Sequence, residues 1–228
     1  MKKRVYSQSG DRIETVDPVS VRRYGPWTRG NHWLTAGCLV LLLVSGLSFF
    51  HPSLYFLSGL FGGGQTARML HPWIGVVLFL SFLVLFLRMV RLNLPTREDG
   101  VWLSQPGKVL AAKEEELPEM GKYNGAQKIV FWAMTGLIIV LIISGIMMWE
   151  QYFDGLVTIP TRRIATITHS IAAVLIICVF IVHVYAAIWT RGTIRAMTRG
   201  TVTGGWAFKH HRKWLRELAR LDRAGPAK

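Results

Sequence analysis

The sequence predicts an all-α integral membrane protein, a four-helix bundle with both termini in the cytoplasm. Two observations carry this. The apolar residues, 51% of the chain, gather into four long runs nearly free of charge, at residues 33–50, 69–87, 129–149 and 164–190. The 27 Lys and Arg residues alternate between crowded and sparse segments. A helix needs about 20 apolar residues to cross the hydrocarbon core. All four runs qualify, and the fourth is long enough to tilt or protrude. The strands of a membrane barrel would alternate over short segments, which these runs do not do.

Taken in order, residues 1–31 form an N-terminal tail ahead of the first span. That span begins after more than thirty residues, and Phe49-Phe50-His51-Pro52 is bulky where a processing site would be small. It is therefore expected to be retained and not cleaved as a signal peptide. The membrane domain covers residues 32–190, with spans of about 33–50, 69–91, 129–149 and 164–190. Gly62-Gly63-Gly64 makes a flexible turn after the first span and lacks the strand and helix context of a phosphate-binding loop. The longest connection, residues 93–122, holds the acidic run Lys113-Glu114-Glu115-Glu116 and a short interfacial helix over residues 102–112. Residues 191–228 form the C-terminal tail, whose Lys209-His210-His211-Arg212-Lys213 either lies on anionic lipid or is plainly solvated.

Basic residues orient the bundle. Seven precede His32, one lies in the first loop, seven lie between residues 88 and 128, two in the third loop, and ten after Thr190. Basic segments stay in the cytoplasm, so both termini are inside. The net charge of +14 is then mostly topological, and a nucleic-acid partner is not needed to explain it. Cys38 and Cys178 sit in apolar helices outside any CxxC or CxxCH pattern, so they are read as buried thiols. Leu43-Val44-Ser45-Gly46-Leu47 in the first span echoes Ile142-Ile143-Ser144-Gly145-Ile146 in the third. Such small residues either let helices approach closely or make room for a flat cofactor.

Histidines carry the functional reading, because ionisable residues inside a membrane are costly. With the N-terminus inside, His32 lies near the inner face, and His71 and His169 near the outer face. His183 follows His169 by 14 residues, roughly 21 Å at about 1.5 Å per residue, and so lies near the inner face. Fourteen residues is also close to four helical turns, so His169 and His183 share one side of the fourth helix. The four sort by depth into His71 with His169 and His32 with His183. Two depth-matched imidazole pairs suit two haems, each held by two histidines and suited to electron transfer. The pairs are too far apart to converge on one zinc or di-metal centre. His51, His210 and His211 have no matched counterpart and are read as non-ligands.

Arg29-Gly30-Asn31-His32-Trp33, His71-Pro72-Trp73-Ile74-Gly75, Gly121-Lys122-Tyr123-Asn124-Gly125-Ala126-Gln127-Lys128 and the helix bearing His169 and His183 resemble the cytochrome b (gamma) subunits of respiratory formate dehydrogenases. The resemblance runs from about Val21 to about Trp214. The histidine pattern is shared with b-type subunits of nickel–iron hydrogenases and thiosulfate reductases. The Gly-Lys-Tyr-Asn stretch and the Lys-His-His-x-x-Trp stretch are more specific to the formate group. The resemblance implies two haem b groups, ligated by His71/His169 and His32/His183. It also implies a quinone pocket (menaquinone or ubiquinone) formed near the cytoplasmic face by Asn124 with His183, and Gln127 as a neighbour. Asn124 can also cap the third helix, and the two roles are compatible. The implied partners are an iron–sulfur (beta) subunit, a molybdenum or tungsten pterin catalytic (alpha) subunit and membrane lipid; a higher oligomer of that heterotrimer is compatible with it. The implied location is the bacterial inner membrane. No formate-oxidising site is implied in this chain. The alternative is a b-type anchor of a nickel–iron hydrogenase or another oxidoreductase.

Overall fold

The structure, a computed structural model, describes residues 7, 8, 10–111, 113 and 116–224. Glu114 and Glu115 of the acidic run lie outside the described residues, as do the first six residues and the last four. Strands β1 (Arg12–Val16) and β2 (Val19–Arg22) precede helix α1 (Pro26–Phe50). A 3₁₀ segment (Pro52–Phe61) leads to α2 (Gly64–Met89), which continues as a 3₁₀ turn (Val90–Asn93). Short helices α3 (Arg97–Leu103) and α4 (Pro106–Leu110) precede α5 (Gly125–Met148), and the four-residue α6 (Glu150–Phe153) precedes α7 (Ile159–Trp189). Then come α8 (Thr193–Thr198), β3 (Thr201–Thr203), α9 (Gly204–His210) and α10 (Arg212–Ala224).

The chain is mostly helical, and four helices are long and apolar enough to cross a membrane: Pro26–Phe50, Gly64–Asn93, Gly125–Met148 and Ile159–Trp189. Each begins several residues before the apolar run that betrays it. Polar residues such as Thr28, Arg29 and Asn31 satisfy helical geometry as well as apolar ones do, so hydropathy marks the span and not the helix.

The chain packs as two compact units. One holds Gly30–Phe86 and Trp132–Val184, the central parts of the four long helices. Its core is Cys38, Leu39, Leu78, Ile138 and Ile176, with Leu42, Ile74, Phe82 and Leu141 packed around them. Ile176 stands seven residues from both His169 and His183, so this core separates two levels of histidines. Many large apolar residues of the same helices, Leu80, Ile171 and Val182 among them, are exposed. Such an apolar exterior suits lipid and not water. Trp73, Trp149 and Tyr152 cluster edge to face at 5.0–5.8 Å, as aromatic residues do at a membrane interface.

The Gly62-Gly63-Gly64 turn needs its glycines. Gly62 and Gly63 take φ of 81° and 110°, which side chains rarely tolerate. A Cβ on Gly64 would collide with the Tyr55 hydroxyl. His51 caps the 3₁₀ segment, its Nδ1 accepting from Ser53 N at 3.2 Å.

The other unit gathers the described residues up to Arg29, between Leu87 and Phe131, and from Tyr185 onward. The chain is mostly helical, as expected, but this unit also carries one small sheet that the sequence did not reveal. β1, β2 and β3 form an antiparallel sheet in that order, with Val21 opposite Val202. The strands are only three to five residues long, too short to show a period-two pattern in sequence. The helix expected over residues 102–112 is broken into α3 and α4. Pro106 lacks an N–H and drives Gln105 out of helical geometry, to φ −119° and ψ 51°. α3 begins with a capping box between Thr96 and Asp99.

The segments read from sequence as tails take part in this packing. Lys122, buried, donates to Gln8 Oε1 at 2.9 Å, Asp11 Oδ1 at 2.6 Å and Arg23 O at 2.9 Å. The Arg23 guanidinium donates back to Lys122 O and lies over the rings of Trp206 and Trp214 at 5.1 and 5.0 Å. Trp214 Nε1 donates to Asp11 Oδ2 at 3.0 Å, and His211 Nδ1 contacts Gly121 O at 2.7 Å. The Gly-Lys-Tyr-Asn and Lys-His-His-x-x-Trp stretches thus meet around one buried ion pair. Burial lowers the Lys122 pKa from 10.5 to about 8, against the pull of Asp11.

Candidate haem site

Within the bundle unit, α2 presents His71 to His169 of α7, and α1 presents His32 to His183 of α7. The ring centroids stand 6.3 Å apart in the first pair and 6.4 Å in the second. Two imidazoles bonded to one metal at about 2 Å each hold their centroids roughly 6 Å apart. The residues present therefore fit a metal between the rings at both levels. Among the described residues, no cluster of three or more His, Cys, Asp or Glu is arranged to hold a metal ion; a pair of imidazoles is a set that a haem iron can take from protein.

The elements that carry the rings are pinned to each other. Asn31 Nδ2 donates to Ser81 O at 2.8 Å and Thr35 Oγ1 to Ser81 Oγ at 3.0 Å, tying α1 to α2 beside His32. The echoed Ser-Gly pairs sit against the other level. Ser45 Oγ lies 2.7 Å from His71 Nδ1, and Ser144 Oγ lies 2.9 Å from His169 Nδ1. A Cβ on Gly46 or Gly145 would stand 3.5 Å from Cε1 of the same imidazole. That is ordinary contact distance, so the imidazole leaves room for a side chain at either glycine; the serine is what meets the ring nitrogen. The hydrogen bond itself was not foreseen, although the repeated motif was its visible trace.

Asn124 and Gln127 belong to the other unit, at the start of α5. Asn124 N donates to Gln127 Oε1 at 3.1 Å, and Gln127 N donates to Asn124 Oδ1 at 3.0 Å. This reciprocal box caps the helix with both side-chain oxygens and leaves each amide NH₂ out of the box. Next to it, Gly125 packs under α3, where a Cβ would meet Leu103, Trp102 and Asp99 at 3.1–3.3 Å. Lys128 donates to Asp99 Oδ2 at 2.7 Å.

A membrane bundle with two facing imidazole pairs has a defined family. The chain belongs to the prokaryotic cytochrome b561 family, which matches residues 23–200. It is a multi-pass membrane protein, and membership implies b-type haem. It is 45% identical over 199 residues to the formate dehydrogenase cytochrome b556(fdo) subunit of Escherichia coli K12, covering 87% of this chain and 93% of the relative. It is 36% identical to the nitrate-inducible formate dehydrogenase cytochrome b556(Fdn) subunit of the same strain, covering 85% of this chain and 89% of the relative. It is 35% identical to the formate dehydrogenase cytochrome b556 subunit of Haemophilus influenzae, covering 92% and 90%.

Proposed function

We propose that the chain is the membrane-anchoring di-haem cytochrome b subunit of a formate dehydrogenase complex. In this role it carries electrons from an iron–sulfur subunit across the bacterial inner membrane to quinone near the cytoplasmic face. The observation that carries the reading is the pair of imidazole–imidazole distances on an apolar four-helix bundle, joined to extensive similarity with formate dehydrogenase cytochromes. His71 and His169 would hold one haem b, and His32 and His183 the other. Haem held between two imidazoles supplies one-electron transfer with no coordination position open to oxygen. Formate oxidation belongs to a pterin-bearing catalytic subunit.

Both termini are cytoplasmic in this reading, which follows from the seven-one-seven-two-ten distribution of basic residues. The His71/His169 level is then outer and the His32/His183 level inner. A reporter active only in the periplasm, fused after Lys228, is expected to be silent. Strong reporter activity would invert the levels.

Asn124, Gln127 and His183 are the quinone-binding residues of this proposal. An amide NH₂ can donate to a quinone carbonyl directly or through water, while the amide oxygen stays in the cap. Asn124→Ala is expected to keep both haems and formate-dependent haem reduction, and to slow haem reoxidation by a quinone analogue. Gln127→Ala should do so more mildly. Asn124→Asp separates the two roles, since it keeps the capping oxygen and removes the donor. Stopped-flow reoxidation as slow in Asn124→Asp as in Asn124→Ala supports the quinone role. Normal rates in both variants, with only the loss of about 0.5–2 kcal/mol that a missing cap brings to the alanine variant, would reduce Asn124 to a cap.

A further inference from the structure

We propose that Ser45 and Ser144 are positioning residues that enrich the His71 and His169 imidazoles in electron density, making the haem they hold the lower-potential one of the two. The inference rests on the ligand assignment made under Proposed function.

The hydroxyl geometry decides where the protons lie. Ser45 is fully buried and Ser144 nearly so. Ser45 Oγ lies 2.8 Å from Leu41 O, and Ser144 Oγ lies 2.6 Å from Val140 O. A serine has one hydroxyl proton, and a carbonyl can only accept it. Each Oγ therefore faces its imidazole with lone pairs. Nδ1 must carry the ring proton and donate it, at 2.7 Å for His71 and 2.9 Å for His169. That leaves Nε2 of both rings unprotonated, the form that binds a metal. It also makes each ring a donor to an oxygen that is itself polarised by its carbonyl contact, which raises the basicity of the ligand.

At the other level one of the two rings is set differently. His32 Nδ1 is buried and has no hydrogen-bond partner among the described residues. An imidazole whose Nδ1–H lacks an acceptor pushes less electron density onto a bound metal. More basic axial ligands favour the ferric state and lower the potential; second-shell hydrogen bonds are among the levers a protein has on that potential. The asymmetry gives a downhill order from the His71/His169 level to the His32/His183 level. That is the direction the proposed electron flow needs.

A purely structural reading would have the serines satisfy their own hydroxyls through the carbonyl of the preceding turn, as membrane helices allow. That reading accounts for the carbonyl contacts and predicts no effect on potential. Optical redox titration of the purified complex distinguishes the two. Ser45→Ala and Ser144→Ala are each expected to retain two haems and to raise the potential of the lower-potential haem, with the other unmoved. Ser45→Cys, which keeps the size and leaves a weaker acceptor, should raise it by less than Ser45→Ala. The haem missing from His71→Ala identifies the component and must be the lower-potential one. Retention of both haems in His71→Ala would sink the ligand assignment itself. A normal loss of one haem in His71→Ala, with unmoved potentials in both serine variants, would overturn the tuning role alone. So would finding that the missing haem is the higher-potential one. Loss of that haem in every serine variant would make the serines determinants of retention and would likewise overturn tuning.

Discussion

His71→Ala and His169→Ala are each expected to lower the haem content of the complex from two per chain to one while the chain still inserts. Each substitution removes one of two facing rings at a single level, where the centroids stand 6.3 Å apart. It leaves the core of Cys38, Leu39, Leu78, Ile138 and Ile176 intact between the levels. The remaining haem should keep an unchanged low-spin spectrum, because its own two rings are untouched. His32→Ala and His183→Ala should remove the complementary haem. Extraction of haem b from purified variants, set against chain concentration, checks this. Two low-spin haems in both His71→Ala and His169→Ala would refute the pairing.

Asp11→Ala is expected to destabilise the sheet-bearing unit by about 3–5 kcal/mol, the cost of leaving a buried partner uncompensated. Asp11 and Lys122 have side chains 3% and 0% exposed, with Nζ to Oδ1 at 2.6 Å. Asp11 also accepts from Trp214 Nε1, so the substitution orphans a cation and an indole N–H together. Lys122→Met should also destabilise, since it leaves the buried Asp11 carboxylate without its cation and Arg23 O without its donor. The pH dependence has a definite sign. The folded Lys122 pKa, lowered by burial to about 8 from 10.5, means that the folded unit binds fewer protons than the unfolded one between those values. The Lys122 contribution to stability therefore rises with pH across that window. Proteolysis of the segments outside the membrane, followed against denaturant, measures both effects. Wild-type resistance in Asp11→Ala would remove the ion pair from any structural role.

How much of this was legible beforehand depends on the range of the interaction. The four long helices were legible because membrane burial needs unbroken apolar runs. That His71 faces His169 and His32 faces His183 agrees with depth and helical period, which are linear in residue number. The sheet was not, since β2 and β3 pair across about 180 residues of chain and neither strand is long enough to show alternation. Lys122, Lys128 and Arg23 entered the sequence reading as topological charge; in the structure they are buried and partnered. Nothing local distinguishes a buried lysine from a solvated one when its carboxylate lies 111 residues away. Ser45 and Ser144 fall between these cases. Their repeated motif was visible, but a hydroxyl aimed at a ring on another helix is settled only by packing.

The number and spin state of haems in the wild-type complex test the central claim most directly. Two b-type haems per chain, both six-coordinate and low-spin, are expected from two imidazole pairs. A single haem per chain, or a high-spin haem with an open axial position, would contradict the assignment of the four histidines as two pairs of axial ligands.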